Sequence, residues 1–124
     1  MEKVNVEKLV VDGCTYVRED LLEQAANVDG MAHVIVRTYS AGVFAGYLHS
    51  RNGEEVVLNN ARRIYYWAGA ATLSEMANEG VSKPHECKFP APVNEITLLN
   101  AIEIIPTTAR AKKSLESVPV WSAK

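Results

Sequence analysis

The sequence is poor in the residues that crosslink small proteins or direct them to membranes. Its 124 residues include two cysteines, Cys14 and Cys87, and no CxxC pair, which excludes a disulfide framework and the usual zinc-site spacing. No apolar run approaches the roughly 18 residues that a membrane-spanning helix needs. The N-terminus lacks the basic start and apolar stretch of a signal peptide. We therefore expect a cytoplasmic protein with reduced thiols and no membrane contact.

The sequence also lacks the motifs of common enzymes. It contains no HExxH, no P-loop, no GxGxxG and no nucleophile-base-acid signature. Aspartate is absent after Asp29, and the later glutamates fall mostly in expected helices or turns, so acid–base catalysis has little support. The run His85-Glu86-Cys87 offers metal ligands but has no further ligand at a known spacing. We expect no enzyme activity, no metal and no cofactor.

Charge is modest and unevenly distributed. The chain has 13 basic and 15 acidic residues and is 48% hydrophobic, which is typical of one ordinary globular domain over residues 1–124. Residues 1–32 hold seven acids and three bases, whereas residues 33–124 hold eight acids and ten bases. The mildly basic main body suits a small anionic ligand, but it is far from the strongly basic surface of a duplex DNA binder.

The N-terminal part predicts a hairpin followed by a helical or linking segment. In residues 8–18, two β-rich runs flank Asp12-Gly13, a strong hairpin turn signal. Residues 19–27 have early acids and helix formers and predict a short helix that ends near Asp29-Gly30, with a linker as the alternative. We therefore treat residues 1–32 as an acidic N-terminal segment of the same domain.

Residues 33–58 predict a three-stranded antiparallel meander, the start of a β-rich body over 33–124. A two-residue turn in the second hairpin would place Leu48 opposite Val57 and His49 opposite Val56.

The rest of the chain predicts short helices and one more strand. A capping box at residues 72–75 predicts a helix that ends at Gly80. Residues 95–105 predict one long strand, and residues 107–115 predict a final helix followed by an apolar peg at 118–121. The fold class is therefore α+β, an antiparallel β-meander sheet with two or three short helices.

One segment places cationic and aromatic residues together. Arg62-Arg63 stands just before Tyr65-Tyr66-Trp67, and guanidinium groups beside flat rings suit a phosphorylated nucleoside. In a strand the two arginines would face opposite sides, so only one can serve a given pocket. The alternative is that the rings pack the core and the arginines coat the surface.

Several segments together resemble a small domain common in phage and prophage genomes. They are Val34 to Trp67, Gly69 to Ser74, Cys87 to Pro90, Ile102 to Pro106 and Val118 to Trp121. The chain resembles the first type of Thoeris anti-defence protein, phage proteins that bind and sequester the glycocyclic ADP-ribose signal made by bacterial TIR-domain proteins. Some members also hold cyclic oligonucleotides at separate sites.

The resemblance implies a β-rich homo-oligomer, a dimer or an assembly of dimers, in the host bacterial cytoplasm. In that family, ligand lies in pockets at subunit interfaces, where arginines hold phosphates and an aromatic ring holds adenine. Carried onto this sequence, it gives the candidate ligand-binding residues Arg62, Arg63, Phe89, Asn100 and Arg110, with Asn94 as the alternative to Asn100. The sequence therefore predicts a phage anti-defence protein that sequesters a cyclic nucleotide without cleaving it.

Two other functions stay open at this point. A small phage protein-interaction or structural module would bury residues 65–67 and 118–121 in a partner protein or a second copy. An enzyme that cleaves a nucleotide signal would instead release a product.

Overall fold

A computed structural model describes residues 23–123 of the chain. Its elements are β1 (His33–Thr38), β2 (Val43–Asn52), β3 (Glu55–Arg63), α1 (Leu73–Glu79), a short 3-10 helix (Pro84–Glu86), β4 (Val93–Leu98), β5 (Ala101–Pro106) and α2 (Ala109–Glu116). The predicted α+β class, with an antiparallel sheet and short helices, is confirmed. The hairpin predicted for residues 8–18 lies outside the described residues.

The five strands form one sheet that rolls up on itself. Their order is β4-β3-β2-β1-β5, and every neighbouring pair is antiparallel. In a flat sheet the two edge strands, β4 and β5, would lie about 19 Å apart. Only Leu99 and Asn100 connect them, and the three Cα–Cα steps from Leu98 to Ala101 span about 11 Å at most. Rolling brings the edges together at this end, where the Ala101 amide donates to the Glu54 carbonyl at 2.9 Å.

The inside of the roll is a core of apolar side chains from the strands. Strand residues alternate between the two faces of a sheet, and one set converges inside, namely Val34, Val36, Phe44, Val56, Leu58, Ala61, Leu98 and Ala101. All of these are at most 9% exposed. We call this set the inner core.

The outer face of the sheet carries a second core beneath the two helices. Ile35, Ala45 and Ile64 alternate with inner-core residues and pack against Met76 of α1 and Leu115 of α2. Ala77, Val81, Cys87, Phe89 and Val118 complete the buried set. We call this set the outer core.

Both helices begin at the threonines that the sequence pattern favours. Thr72 Oγ1 accepts from the Glu75 amide at 3.1 Å, and Thr108 Oγ1 accepts from the Ala111 amide at 3.0 Å. The helix start predicted from residues 72–75, the end of α1 at Gly80 and the final helix are therefore confirmed. The Glu75 carboxylate accepts from the Ala71 amide at 2.8 Å and not from the Thr72 amide of a capping box.

The predicted register of the second hairpin is wrong. The predicted pairs need a turn at Asn52-Gly53, but the turn lies at Gly53-Glu54, where Asn52 pairs with Glu55. β2 also has an irregularity between Leu48 and Ser50, so Leu48 lies opposite Leu58. A bulge inserts one extra residue into one strand, and the alternation of apolar and polar residues in this hairpin does not indicate where such a residue lies.

The single long strand predicted for residues 95–105 is also wrong, because the chain turns at Leu99 and Asn100 and makes two strands. Asn100 has φ +57, a left-handed conformation that asparagine tolerates better than most residues. The residues on both sides of this turn are apolar, so the sequence pattern predicted one continuous strand.

The segment before β1 is extended in its described part. Ala25 donates its amide to the Thr107 carbonyl at 2.8 Å, and Val28 and Met31 exchange backbone hydrogen bonds of 2.9 Å around Asp29-Gly30. The chain therefore turns at Asp29-Gly30, where the sequence predicted the end of a helix. Residues 23–27 are not helical, so the helix predicted for 19–27 is wrong over the part that the structure describes, and its linker alternative fits.

Candidate functional site

Arg62 ties three parts of the protein together. From β3 its Nε donates to the Pro90 carbonyl at 3.0 Å, Nη2 to Phe89 at 3.2 Å and Nη1 to Leu115 at 3.4 Å. Burial lowers the pKa of its guanidinium below the ordinary value. A guanidinium has five N–H donors, so these three bonds leave two for another acceptor.

Arg63 lies on the opposite face of the sheet, as the two-residue period of a strand predicts. Its Nη1 donates to the Ala41 carbonyl at 2.7 Å, and its guanidinium carbon lies 4.4 Å from the centre of the Phe44 ring. It therefore caps the rim of the inner core, and within one chain it cannot share a pocket with Arg62.

The other predicted ligand residues are dispersed. Phe89 is 1% exposed in the outer core, with the Arg62 guanidinium carbon 5.3 Å from its ring centre. Asn100 lies at the β4–β5 turn, and Arg110 on α2 pairs with Glu79 at 3.0 Å. Arg62 and Phe89 are therefore in contact, whereas no side-chain contact joins either of them to Arg63, Asn100 or Arg110 among the described residues.

Two adjoining cavities lie beside Arg62. One, of about 130 Å³, is lined by residues that include His33, Tyr47, Asn60 and Arg62. The other, open and about 470 Å³, is lined by Val28, Asp29, Met31, Tyr47, Asn59, Asn60, Asn94 and Glu95. Because Tyr47 and Asn60 line both cavities, the two cavities form one continuous surface. We call this surface the amide groove, after Asn59, Asn60 and Asn94.

A bulge in β3 directs the asparagines into this groove. Ala45 pairs with Arg62 and Tyr47 with Asn59, so β3 has one residue more than β2 in this stretch. Asn60 takes φ +50 there. Gly46 permits the close approach of the two strands, because a Cβ at this position would lie 3.0 Å from the Ala61 Cα.

Asn59 has an amide that is only half satisfied. Its Nδ2 lies 3.5 Å from the Met31 sulfur, whereas its Oδ1 is buried and has no hydrogen-bond partner among the described residues. A buried polar atom without a partner costs about 1–3 kcal/mol.

Asn59 and Asn60 are not among the site residues that the sequence predicts, because they lie in a segment rich in strand-forming residues. The available signal was two consecutive asparagines inside that segment, because asparagine is disfavoured in regular strands and tolerates the conformation of a bulge. Asn94, the alternative adenine contact, does line the groove.

The floor of the groove holds a neutral histidine. His33 Nδ1 lies 2.6 Å from Thr107 Oγ1, and the ring meets Tyr47 edge to face at 5.2 Å between centres. Burial, and secondarily the charge of Lys112, lowers the pKa of His33 to about 4. The imidazole is therefore uncharged at neutral pH.

The charges around the groove are mixed. Lys112 Nζ lies 5.6 Å from the centre of the Tyr47 ring and 3.5 Å from a Glu116 carboxylate oxygen. A side-chain hydrogen bond with Tyr47 raises the pKa of Lys112. Glu116 lines the inner cavity together with Arg62, whereas Asp29 and Glu95 line the opposite, open end. The inner end therefore combines a cation with a carboxylate, and the mouth is acidic.

A different surface collects exposed rings. Tyr65, Tyr66, Lys88, Val120 and Trp121 form what we call the aromatic patch, with the three rings between 41% and 62% exposed. Tyr65 and Trp121 stack at 5.0 Å between centres. Two segments that the sequence reading suggested for partner binding, 65–67 and 118–121, therefore meet here.

Trp67, the third aromatic residue of the first segment, is not part of the patch. It packs against the outer core and donates from Nε1 to the Ala70 carbonyl at 3.0 Å. Val118 of the second segment is likewise buried.

Cys87 is buried, with its sulfur 3.6 Å from the Ala68 carbonyl oxygen. Within residues 23–123, no cluster of three or more His, Cys, Asp or Glu side chains could hold a metal ion. Over the same range, no helix is long and apolar enough to cross a membrane.

Residues 31–115 match the family described as a domain of unknown function (DUF6948). Because the match covers more than half of the chain, the chain belongs to this family. No curated protein and no solved structure matches it. The matched range contains the rolled sheet, Arg62 and the three asparagines of the amide groove, whereas Val28 and Asp29 of the groove precede it, and Val120 and Trp121 of the aromatic patch follow it.

Proposed function

We propose that this member of the DUF6948 family binds and sequesters a small cyclic nucleotide signal without cleaving it. The amide groove is the observation that supports the proposal. Glycocyclic ADP-ribose and cyclic oligonucleotides are the candidate ligands, because the phage anti-defence proteins that the sequence resembles bind them. The protein would then act in the cytoplasm of a bacterial host.

The groove has the chemistry to hold a nucleobase. An asparagine side chain can donate to and accept from a base edge at once, as it does with the N6 and N7 positions of adenine. Asn59, Asn60 and Asn94 line the open part of the groove together. The open part alone, about 470 Å³, is within the range of roughly 300–1,000 Å³ for small-molecule sites.

The charge gradient gives the ligand a direction. Arg62 with its two remaining donors would attract phosphates at the inner end, where it faces the single carboxylate of Glu116, whereas Asp29 and Glu95 would repel them at the mouth. A base at the mouth and phosphates near Arg62 is therefore the favoured orientation.

A single chain supplies few cations for a diphosphate. In a homo-oligomer, as the resemblance implies, a second copy would supply the rest, and Arg63 and Arg110 are the candidates because both are exposed. A symmetric dimer would then have two equivalent sites.

The first test is capture and release. The purified protein is mixed with cyclic ADP-ribose isomers and cyclic di- and trinucleotides, filtered and then heated, and the small molecules are measured by mass. Depletion followed by intact release is expected. A changed product would indicate an enzyme, and no depletion of any compound would contradict the proposal.

Site variants then locate the captured ligand. Asn94→Ala and Asn60→Gly each remove one groove amide, and glycine keeps the positive φ of Asn60. Both are expected to weaken binding at least tenfold. Asn100→Gly is the matched control at the far turn, and a larger loss there than at Asn94 would move the site away from the groove.

A further inference from the structure

We infer that the aromatic patch is a docking surface for an acidic protein segment, one that places an apolar side chain on the rings and a carboxylate on Lys88. This inference is independent of the nucleotide proposal. Trp and Tyr are the residues most enriched at the energetic centres of protein interfaces. Here Tyr65, Tyr66 and Trp121 are 62%, 52% and 41% exposed on one surface.

The backbone beneath the rings is already fixed. Lys88 donates its amide to the Tyr66 carbonyl at 2.7 Å, and Trp121 donates to the Phe89 carbonyl at 3.0 Å. Phe89 also pairs with Val120 in a parallel bridge. Three chain segments are thus joined under the patch, so a partner would not have to order it on binding.

The rings themselves are also held in place. The Tyr65 and Trp121 rings lie within 13° of parallel, and the Lys88 ammonium lies 5.6 Å from the Trp121 ring centre and 5.8 Å from that of Tyr66. A pre-arranged aromatic face loses little side-chain entropy when it is covered.

Lys88 determines the charge of the occupant. Lys88, like Lys83 and Lys113, has no carboxylate partner within residues 23–123, but it differs from them in lying over two exposed rings of the patch. A partner that covered this ammonium without a carboxylate would bury an uncompensated charge. Charge complementarity therefore favours an acidic segment.

The same lysine argues against a second copy of this chain as the occupant. Across a two-fold axis the patch would meet itself, and two Lys88 ammonium groups would approach each other in a surface that excludes water. Like charges brought together in this way oppose association.

The test uses synthetic 12-residue peptides with a central Trp, Phe or Leu flanked by Asp and Glu, together with the same peptides carrying Lys at every acidic position. Binding is followed by fluorescence polarisation of labelled peptides. Acidic peptides are expected to bind at least tenfold more tightly than their Lys counterparts. Equal binding of both sets, or no binding of the acidic set, would overturn the inference.

Variants make the test specific to the patch. Lys88→Glu is expected to weaken acidic-peptide binding at least tenfold and to strengthen binding of the Lys peptides, and Trp121→Ala to weaken binding at least tenfold. Lys113→Glu, the same charge change on an exposed lysine of α2, and Tyr39→Ala, at a tyrosine 79% exposed elsewhere, are matched controls expected within twofold. Thermal unfolding checks that each variant is folded.

Two further results would overturn the inference in favour of another occupant. Self-association in light scattering that Trp121→Ala removes would show that the patch binds a second copy. Tighter binding of a 12-nucleotide oligo-dT than of any acidic peptide, lost in Trp121→Ala, would show a nucleic-acid surface.

Discussion

The two faces of the rolled sheet are stabilised in different ways. The inner core consists of apolar side chains contributed by consecutive strands, and Arg63 meets it only at its rim. The outer face adds polar contacts between segments far apart in sequence, among them the three bonds of Arg62 and the contact of His33 with Thr107.

This difference separates what holds the fold from what shapes the groove. Hydrophobic burial has no direction, so the inner core depends on the volume and pattern of its side chains. Hydrogen bonds have geometry and depend on protonation, so the outer face is sensitive to pH and to single polar substitutions. The amide groove lies on the outer face, next to Arg62 and His33.

The largest expected effect is in the inner core. Phe44 is 2% exposed, and Phe44→Ala would lose its transfer free energy and leave a cavity, at a cost of about 3–5 kcal/mol. Urea unfolding of the variant and of the parent measures the loss. Tyr39→Ala, at an exposed ring, is the control and should change stability by less than about 0.5 kcal/mol. A loss below about 1 kcal/mol at Phe44 would contradict a tightly packed inner core.

The next effect is a pH dependence that only the outer face should have. The pKa of His33 is about 4 when folded against 6.5 when exposed, so between these values the unfolded chain binds the proton more readily. The contribution of His33 to the free energy of unfolding is therefore fully present above pH 6.5, and about 3 kcal/mol of it is lost as the pH drops to 4.

Unfolding free energies at pH 7 and pH 4.5 test this, with His33→Asn as the comparison. The variant has no ring to titrate, so it should lose less stability than the parent over this interval. Equal losses in the two proteins would show that His33 is not buried uncharged.

Local sequence signals predicted the parts of the fold that depend on neighbours in the chain. Thr72 with Glu75 marked the start of α1, and Gly80 marked its end, because helix caps are formed by residues within a few positions. The two-residue period also predicted that Arg62 and Arg63 face opposite sides. These features needed no knowledge of the tertiary structure.

The features that were missed depend on contacts between distant segments. The bulge near Leu48 and the turn at Asn100 are set by how the sheet rolls and closes. The sequence predicts Arg62 as a phosphate ligand or a surface charge, but three of its donors bond to carbonyls 27 to 53 residues away. No local pattern shows that a cation will be used in this way, or that Asn59 and Asn60 will line a groove.

The third prediction compares the two adjacent arginines. Arg62→Ala would leave three half-buried carbonyls without a donor, and after allowance for solvent screening we expect a loss of about 2 kcal/mol. Arg63→Ala removes one exposed bond and a ring contact and should cost about 1 kcal/mol or less. Chemical denaturation of both variants measures the difference. Equal losses would contradict the role of Arg62 as a tie within the outer face.

The smallest effect tests whether the outer helices are fixed by their caps or by packing. Thr108 Oγ1 accepts from the Ala111 amide at 3.0 Å and donates to the Asn78 carbonyl at 2.8 Å, so it caps α2 and joins it to the end of α1. Thr108→Ala should cost about 1 kcal/mol, and Thr108→Ser, which keeps the hydroxyl, should restore most of it. If serine does no better than alanine, the threonine methyl group and not the hydrogen bond holds this corner, and the outer face would resemble the inner core more than its polar contacts indicate.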